Sequence, residues 1–409
     1  MELLSPAGNI EKLEAAYRYG ADAAYVGIGS FSLRARADNF SIEDAPRVSA
    51  SKNERRLYCA LNIYFHDADL ARLEEQVEAL ADFPFDAFIV SDLGVVPLLR
   101  RYAPHAKLHL STQANCTNAE AARFYRDLGF SRIILGRELS LAEIAEIRTA
   151  VPEVELEAFV HGAMCLAYSG RCFLSAWMTG RSANGGDCAH SCRWQYRPAD
   201  RVYYLEEEQR PGRLYPVLET DTFTSILSSK DIRMIDHLDA LREAGVDGLK
   251  IEGRMKSAYY TAVVTRAYRK QLDSMLYGTP SAEEAAAYAA ELDKVSRREP
   301  STGFYFGSAE VERPTESEYR RDYTFVGILG EEVEAGLYRL HLKNRIAHGM
   351  SLELIGPDLP WAPLRELRLF DEEGRPVETA NHTDRVLLRP GIPAAEGHMI
   401  RAYRPNAPN

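Results

Sequence analysis

Four cysteines lie close together within residues 157–197 of the 409-residue chain. Cys165, Cys172, Cys188 and Cys192 follow the spacing C-x6-C-x15-C-x3-C, with small and flexible residues between them. Thiolates of this number can hold an iron–sulfur cluster. Structural zinc sites usually show two closely spaced pairs such as C-x2-C. We therefore interpret the stretch as a metal site and place an iron–sulfur cluster ahead of zinc.

Two other interpretations of the cysteines stay open. His161 and His190 could replace one thiolate, and the cysteines could instead be buried small hydrophobic side chains. The Gly, Ser, Asn and Asp residues around them argue against an apolar core. Cys59 and Cys116 lie in or beside apolar runs, so we expect them to be inert core residues.

Polar side chains alternate with apolar ones near the ends of several apolar runs. Lys250, Glu252 and Arg254 share one face of GLKIEGR, because successive side chains of a strand point to opposite faces. Ser111, Gln113 and Asn115 share parity in LSTQAN if the strand extends that far, and ELEAFVH gives the same parity to Glu155, Glu157 and His161. The resulting candidates are catalytic Lys250, Glu252, Arg254 and His161, and substrate-binding Asn62, Gln113, Asn115 and Arg137. Together they predict a polar pocket for a small anionic substrate, and the alternative is a set of paired structural charges.

Two further stretches carry arginines suited to anions or nucleic acid. Arg34 and Arg36 follow the second apolar run, where guanidinium groups could hold a carboxylate or phosphate. Arg193 and Trp194 place a cation beside an aromatic ring, the combination used for phosphate contact and base stacking. The alternatives are a solvated loop for the first stretch and aromatic packing around the cysteines for the second.

Eight apolar runs alternate with helix-like segments over the first 255 residues. They begin near residues 2, 23, 57, 87, 107, 132, 155 and 248. Strands that alternate with helices indicate a parallel sheet, and eight strands in about 250 residues predict an α/β fold of the (β/α)8 TIM-like barrel type. A doubly wound open sheet is the alternative. The segment 232–245 is predicted to be one of the helices.

The predicted barrel domain covers residues 1–276 and carries the cysteines in an insertion, at about 161–230, after the seventh strand. That position predicts a site at the carboxyl ends of the strands, where barrel active sites form. A hairpin is expected within residues 202–220. Residues 277–320 predict an alanine-rich helix that ends at Pro300 and then a linker. Period-two alternation predicts a small, all-β, barrel-like C-terminal domain at 321–409.

Composition and absent motifs narrow the function. The net charge of −11 argues weakly against nucleic-acid binding over the whole surface, although a local basic patch remains compatible with it. No apolar run is long enough for a membrane span, and the N-terminus lacks secretory features, so we expect a cytoplasmic protein without a membrane partner. The chain has no H-E-x-x-H, G-x-S-x-G or P-loop motif, which disfavours a zincin protease, an α/β-hydrolase and a P-loop nucleotidase.

Several of these stretches resemble one family. EAFVHGAMCLAYSGRCFLS, ELLSPAGNIEKLEAAYRYGADAAYVG, LSTQANCTN and KIEGRMKSAYY are similar to motifs of peptidase family U-thirty-two, often labelled collagenase-like. The similarity spans residues 1 to about 275, and the C-terminal β domain resembles the one found in that family.

The resemblance implies an oxygen-independent hydroxylation protein. In such proteins four cysteines, here Cys165, Cys172, Cys188 and Cys192, hold a [4Fe–4S] cluster. Length and the appended β domain are most similar to the branch that acts on tRNA, converting wobble uridine to 5-hydroxyuridine with prephenate as the hydroxyl source. Hydroxylation of ribosomal RNA or of a quinone precursor in a complex, with a paralogous protein as partner, is an alternative. The family label keeps a collagenase-like peptidase as another.

Overall fold

The computed structural model describes residues 1–29, 31–32, 39–78, 80, 83–165, 167–172, 174–191, 204–206, 214–216, 218–219, 224–225, 230–307 and 320–404. These residues form two compact units. One holds the first fourteen strands, and the other holds Glu14–Ala21, Lys256–Arg297 and the C-terminal strands. No described helix has both the length and the hydropathy needed to cross a membrane.

The first unit is built around a parallel sheet. Its strands are β1 (Glu2–Pro6), β2 (Ala23–Gly27), β3 (Arg56–Leu61), β4 (Ala87–Val90), β5 (Lys107–Leu110), β6 (Arg132–Ile134), β7 (Glu155–Ala163), β8 (Tyr204–Glu206), β9 (Leu214–Pro216), β10 (Leu218–Glu219), β11 (Thr224–Ser225), β12 (Asp231–Arg233), β13 (Gly248–Ile251) and β14 (Pro300–Ser301). The strands β1 to β7 and β13 pair in parallel, and β13 pairs with both β1 and β7, so the sheet closes into an eight-stranded barrel. The TIM-like prediction is confirmed.

Helices follow the strands. They are α1 (Ile10–Arg18), α2 (Ala45–Lys52), α3 (Asp67–Val77), α4 (Val95–Tyr102), α5 (Ala119–Asp127), α6 (Leu141–Ala150), α7 (Leu174–Thr179), α8 (Leu238–Glu243), α9 (Ala258–Tyr277) and α10 (Ala282–Ala290). Local sequence fixes several of their starts. The Asn118 side chain accepts a hydrogen bond from the Ala121 amide at 2.9 Å, and Ser140 with Glu143 forms a capping box at α6.

The insertion leaves and re-enters the barrel beside β7. Its last strand, β12, runs antiparallel to the end of β7, with Asp231 opposite Ala163 and Arg233 opposite His161. Within the insertion β8 pairs antiparallel with β9, as the predicted hairpin requires. The prediction of one helix over 232–245 is wrong at its start: β12 and a short 3-10 turn come first, and only 238–243 is α-helical.

The C-terminal strands form an antiparallel sheet. They are β15 (Tyr323–Glu334), β16 (Leu337–Leu342), β17 (Ile346–Ala347), β18 (Leu352–Gly356), β19 (Leu359–Pro363), β20 (Arg368–Asp371), β21 (Pro376–Val377), β22 (Thr379–Ala380), β23 (Val386–Arg389) and β24 (Met399–Tyr403). Eight of them make one sheet in the order β19-β18-β24-β15-β16-β23-β20-β21. Leu352 and Leu354 are buried in its core and Met350 packs against them, as the alternation predicts.

The helix expected to end at Pro300 is shorter than predicted. The α-helix α10 ends at Ala290, and a 3-10 turn covers Glu291–Lys294. The chain then extends, because Asp231 accepts a hydrogen bond from the Arg298 amide at 3.1 Å and pairs with its guanidinium at 3.2 Å. Pro300 therefore lies in β14, which pairs with β12.

Candidate functional site

A cavity of about 110 Å³ lies among the residues at the carboxyl ends of the barrel strands. This is the end at which β/α barrels build their sites. Nine of the predicted site residues line it: Cys165, Cys172, Cys188, Lys250, Glu252, Arg254, Asn62, Gln113 and Arg137. The structure thus joins the cysteine stretch and the polar strand ends in one cavity.

Lys250 lies at the centre of a buried charge network. Its ammonium nitrogen is 2.7 Å from Glu157 Oε1, and Glu157 Oε2 is 2.9 Å from Arg132 Nη1. Glu157 has no exposed surface, and Lys250 and Arg132 are almost fully buried. Burial alone would raise the pKa of Glu157, but the two cations hold that pKa below its ordinary value. Burial lowers the pKa of Lys250, and Glu157 opposes that shift.

The network continues towards the amino ends of the strands. Arg132 also pairs with Glu2 at 2.5 Å and with Glu155 at 2.8 Å. The ring of His109 meets that of Tyr58 edge-on, with ring centres 4.7 Å apart, and His109 Nδ1 has no hydrogen-bond partner in the described part of the chain. Burial and the nearby cations lower the pKa of His109 well below its ordinary value, because an imidazolium would stand unsolvated among like charges. The interior is therefore ionic, with its carboxylates committed to cations.

Arg254 is held against the β2 side of the cavity. Its guanidinium donates to Ser32 Oγ at 3.0 Å, and its backbone oxygen accepts from Lys12 Nζ at 3.3 Å. Gly27 permits this approach: a Cβ on that residue would stand 2.4 Å from the Arg254 guanidinium and 2.4 Å from Ser32 Oγ. A side chain at residue 27 would displace Arg254 from the cavity wall.

Arg137 lies on the opposite side, after β6. Its guanidinium donates to the Ala163 carbonyl at 3.0 Å, stands 3.8 Å from Glu252 and stacks 3.9 Å from the centre of the Phe159 ring. Its Nε is buried, and no described residue forms a hydrogen bond with it. The Glu252 amide donates to the His161 carbonyl at 2.8 Å, which anchors the strand end that carries Lys250, Glu252 and Arg254.

Gln113 lines the cavity from a 3-10 turn and not from a strand with alternating side chains. The strand β5 ends at Leu110, and Ser111 begins a 3-10 turn at Thr112–Ala114. Gln113 is buried and lines the cavity, and its side-chain oxygen has no hydrogen-bond partner among the described residues. Asn115 does not line the cavity. Its φ is 54°, and its amide, turned with the oxygen towards Arg171, contacts Arg171 and Ser169. The shared face of residues 111, 113 and 115 depended on the strand extending through them. The strand ends at Leu110, and the following 3-10 turn still brings Ser111 and Gln113 to the cavity.

Hydrogen bonds join the cysteine stretch to residues that follow two of the barrel strands. Glu138, after β6, accepts hydrogen bonds from the Ser169 amide and from Ser169 Oγ, the latter at 2.5 Å. Ser169 has a φ of 39°, a rare backbone conformation for a residue with a side chain. Asn184 accepts from the Cys172 amide at 3.2 Å, and its own carbonyl accepts from the Tyr64 amide at 3.2 Å.

Three thiols of this stretch are described. Cys165, Cys172 and Cys188 are free and half-buried, and the Cys188 sulfur accepts from the His190 amide at 3.4 Å. No three His, Cys, Asp or Glu side chains of the described ranges are placed to share a metal ion. Cys192 lies outside those ranges. Cys59 and Cys116 are buried as expected, and burial raises the pKa of Cys116 to about 11.

Several predicted residues lie elsewhere. His161 is buried in β7, but it is not among the residues that line the cavity. The pairing register of β7 with β13 shifts at Lys250/Ile251, beside His161. The remaining candidates fall outside the described residues: Arg34, Arg36, Cys192, Arg193 and Trp194. Their roles stay predictions.

Some lining residues were missed by sequence reasoning. Tyr25 faces Lys250, whose ammonium stands 4.4 Å from the ring centre, and its hydroxyl donates to the Ile251 carbonyl at 3.0 Å. Phe159 forms the wall under Arg137. Aromatic residues inside apolar strands look like core in a sequence. Phe159 does share alternation with Glu157, a signal that could have identified it. Ser169 also lines the cavity.

A closed β/α barrel with a polar cavity and a thiol-bearing insertion at the carboxyl ends of its strands has the organisation of a barrel enzyme. The chain belongs to Peptidase family U32, whose family model matches residues 8–315. The model of the Peptidase family U32 C-terminal domain matches residues 321–401. The predicted family is therefore confirmed.

Relatives within the family carry different names. A tRNA hydroxylation protein P1 of Bacillus subtilis (strain 168) is 37% identical over 391 residues, covering 93% of this chain and 89% of that protein. A tRNA hydroxylation protein P of Escherichia coli (strain K12) is 36% identical, covering 87% of this chain and 86% of that protein. A collagenase of Porphyromonas gingivalis (strain ATCC BAA-308 / W83) is 32% identical, covering 75% of this chain and 73% of that protein.

Proposed function

We propose that this protein is an RNA-modifying hydroxylation enzyme that converts tRNA wobble uridine to 5-hydroxyuridine without molecular oxygen. Prephenate would be the hydroxyl source, and a [4Fe–4S] cluster the cofactor. The observation that carries the proposal is the meeting of Cys165, Cys172 and Cys188 with Lys250 and Arg254 in one cavity. The similarity to two tRNA hydroxylation proteins over most of the chain supports the choice of RNA.

The chemistry of the donor set fits a cluster. Cys165, Cys172 and Cys188 are free thiols that line the cavity, and Cys192 would supply the fourth ligand. When bound, the cluster would supply iron that binds or activates the oxygen donor. Lys250, Arg254 and Arg137 line the same cavity, and these cations suit an anionic co-substrate.

Cationic, amide and aromatic side chains of the cavity would each bind a different part of the substrate. Lys250 and Arg254 are cations that could hold carboxylate groups, and both are pre-positioned by buried partners. Gln113 lines the cavity, where its amide would hydrogen-bond a polar group of the substrate. Tyr25 and Phe159 give the cavity aromatic walls, on which a flat ring can pack.

The decisive experiment compares tRNA nucleosides by mass spectrometry in a strain lacking this gene and in strains complemented with variants. We expect 5-hydroxyuridine derivatives to disappear in the deletion and in Lys250→Met, and to return with wild type. The matched control is Lys107→Met, which changes an exposed lysine at the other end of the barrel. Unchanged 5-hydroxyuridine in the deletion strain would remove the proposal. A change confined to ribosomal RNA or quinones would select those alternatives.

Cofactor content is tested separately. Protein purified without oxygen should contain iron and sulfide, and replacing all four cysteines with alanine should remove both. Iron-free protein after reconstitution would exclude the cluster. A paralogous partner remains a prediction from the family resemblance, and a cytoplasmic location remains a prediction from the amino-acid sequence.

A peptidase is the second candidate, favoured by the similarity to a collagenase. The hydroxyl of Ser169, a cavity serine, donates to the carboxylate of Glu138 at 2.5 Å instead of to an imidazole, which does not suit a nucleophile. Gelatin cleavage that survives replacement of all four cysteines would support the peptidase.

A further inference from the structure

The C-terminal unit carries an exposed group of aromatic rings that the barrel site does not use. Tyr323 and Tyr403 are opposite each other in β15 and β24, with ring centres 5.2 Å apart. Trp361, in the edge strand β19, is 46% exposed, and Tyr403 is equally exposed. Large aromatic side chains open to solvent to this extent are candidates for contact with a partner. We call these three residues the aromatic face.

Cations lie between and behind these rings. The Lys294 ammonium stands 5.3 Å from the centre of the Tyr323 ring and 4.9 Å from the centre of the Trp361 ring. The guanidinium of Arg401 lies 4.8 Å from the Tyr323 ring. Lys294 is also fixed by Glu291 at 2.9 Å. The rings are therefore held in place around a charged centre, and their outer surfaces stay open.

Further arginines surround the aromatic face. Arg321 and Arg404 are exposed and adjoin Tyr323 and Tyr403 in sequence. Arg320 pairs through its backbone with Arg297, three residues after Lys294. Among the described residues that contact the aromatic face or adjoin it in sequence, six are cations (Lys294, Arg297, Arg320, Arg321, Arg401 and Arg404) and four are carboxylates (Glu291, Asp293, Asp322 and Glu353). This positive excess, in a chain of net charge −11, suits an anionic partner.

We propose that the aromatic face binds an unpaired segment of RNA. Bases would stack on Trp361 and Tyr403, and phosphates would contact Arg321 and Arg404. Exposed rings interleaved with cations are the arrangement by which proteins hold single-stranded nucleic acid. The cores of protein interfaces are depleted of lysine and carboxylates, whereas the ammonium of Lys294 stands against two of these rings. The inference rests on the proposed function only in the choice of RNA, and it adds a second RNA contact on the C-terminal unit.

The test measures the affinity of the full-length protein for a labelled tRNA anticodon stem–loop by fluorescence anisotropy. Stacking on one base contributes enough that Trp361→Ala should weaken binding by about 5-fold to about 150-fold, and Tyr403→Ala similarly. Trp361→Phe keeps a ring and should retain most of the affinity. The matched control is Tyr277→Ala, an exposed tyrosine of the same unit outside the aromatic face. A stem closed without unpaired bases should bind weakly to every variant.

Salt dependence tests the phosphate contacts. Each lost contact should reduce the slope of log affinity against log salt by about 0.7, so Arg321→Ala and Arg404→Ala should each show that decrease. Unchanged RNA affinity in Trp361→Ala and Tyr403→Ala would overturn the proposal. If these variants kept their RNA affinity but no longer self-associated, the aromatic face would instead bind a second copy of this protein. Loss of 5-hydroxyuridine on gene deletion with unchanged affinity in these variants would refute the aromatic face alone. Unchanged 5-hydroxyuridine on deletion refutes the proposed function, whatever the affinities.

Discussion

Replacing Glu157 with glutamine tests whether the buried network holds Lys250 charged. The substitution keeps the shape of the side chain but removes the carboxylate 2.7 Å from Lys250. Arg132 keeps Glu2 and Glu155 as partners, so the uncompensated charge is that of Lys250. Breaking a buried pair on one side costs ~3–5 kcal/mol. At roughly 2–4 °C per kcal/mol, the melting temperature should fall by ~6–20 °C.

The loss of folding stability in Glu157→Gln should decrease as the pH rises. Without Glu157, the pKa of Lys250 in the folded protein lies further below its pKa in the unfolded chain. At a pH between these two values, the unfolded state therefore binds more protons than the folded state. Raising the pH therefore recovers stability in Glu157→Gln relative to wild type, until both states are deprotonated above the ordinary lysine pKa of about 10.4. Thermal melting followed by circular dichroism between neutral and alkaline pH measures this difference.

Two further variants test whether the loss of stability comes from the unpaired charge of Lys250. Glu155→Gln removes a half-exposed partner of Arg132 and should cost at most ~1 kcal/mol. Glu157→Gln combined with Lys250→Met removes both charges, and should be more stable than Glu157→Gln alone. Strictly additive losses in the double variant, or a melting temperature within about 1 °C of wild type for Glu157→Gln, would refute the argument that Lys250 is held charged by this pair.

The other predictions concern the cysteine stretch and the barrel interior. Glu138→Gln should speed alkylation of the Cys172 thiol in metal-free protein by about 10-fold or more, because a hydrogen bond to a charged group contributes ~1.5–3 kcal/mol; mass spectrometry follows the rate, and Glu143→Gln should leave it unchanged. Because the pKa of His109 is lowered on folding, acidification through about pH 6.5 protonates the unfolded state first, and stability should fall by up to ~1.4 kcal/mol per pH unit. Melting of His109→Phe should lack that loss, whereas the exposed His382→Asn should retain it. Chelation of iron from anaerobically purified protein should abolish hydroxylation and increase the number of titratable thiols; an unchanged thiol count would contradict thiolate ligation.

The barrel could be predicted because each strand is a short apolar run between helices. Strands β12 and β14 were not predicted, since they have three and two residues and acquire their partners only in the fold. The helix α2 was also missed: its segment, with Pro46 near the start and three serine or lysine residues at the end, has weak amphipathic character. Short elements depend on tertiary partners, which local sequence does not encode.

The cavity was predictable in part from the alternating polar residues at one strand end. Lys250, Glu252 and Arg254 all line it as expected, although β13 ends at Ile251 and only Lys250 lies within the strand. Asn115 was misplaced because a 3-10 turn follows β5. The Glu138–Ser169 contact joins residues 31 apart in sequence, and no periodic pattern could have revealed it.

The short ribbon formed by β7 and β12 has a consequence for how this protein can vary. Asp231 lies opposite Ala163, so the two ends of the inserted segment pair as antiparallel strands before the chain returns to the barrel. Lengthening a loop that is already closed costs little additional entropy. Apart from residues that bind back to the barrel, such as Ser169 and Asn184, the inserted segment can therefore change in length or sequence while the barrel is preserved, and reaction specificity can change there.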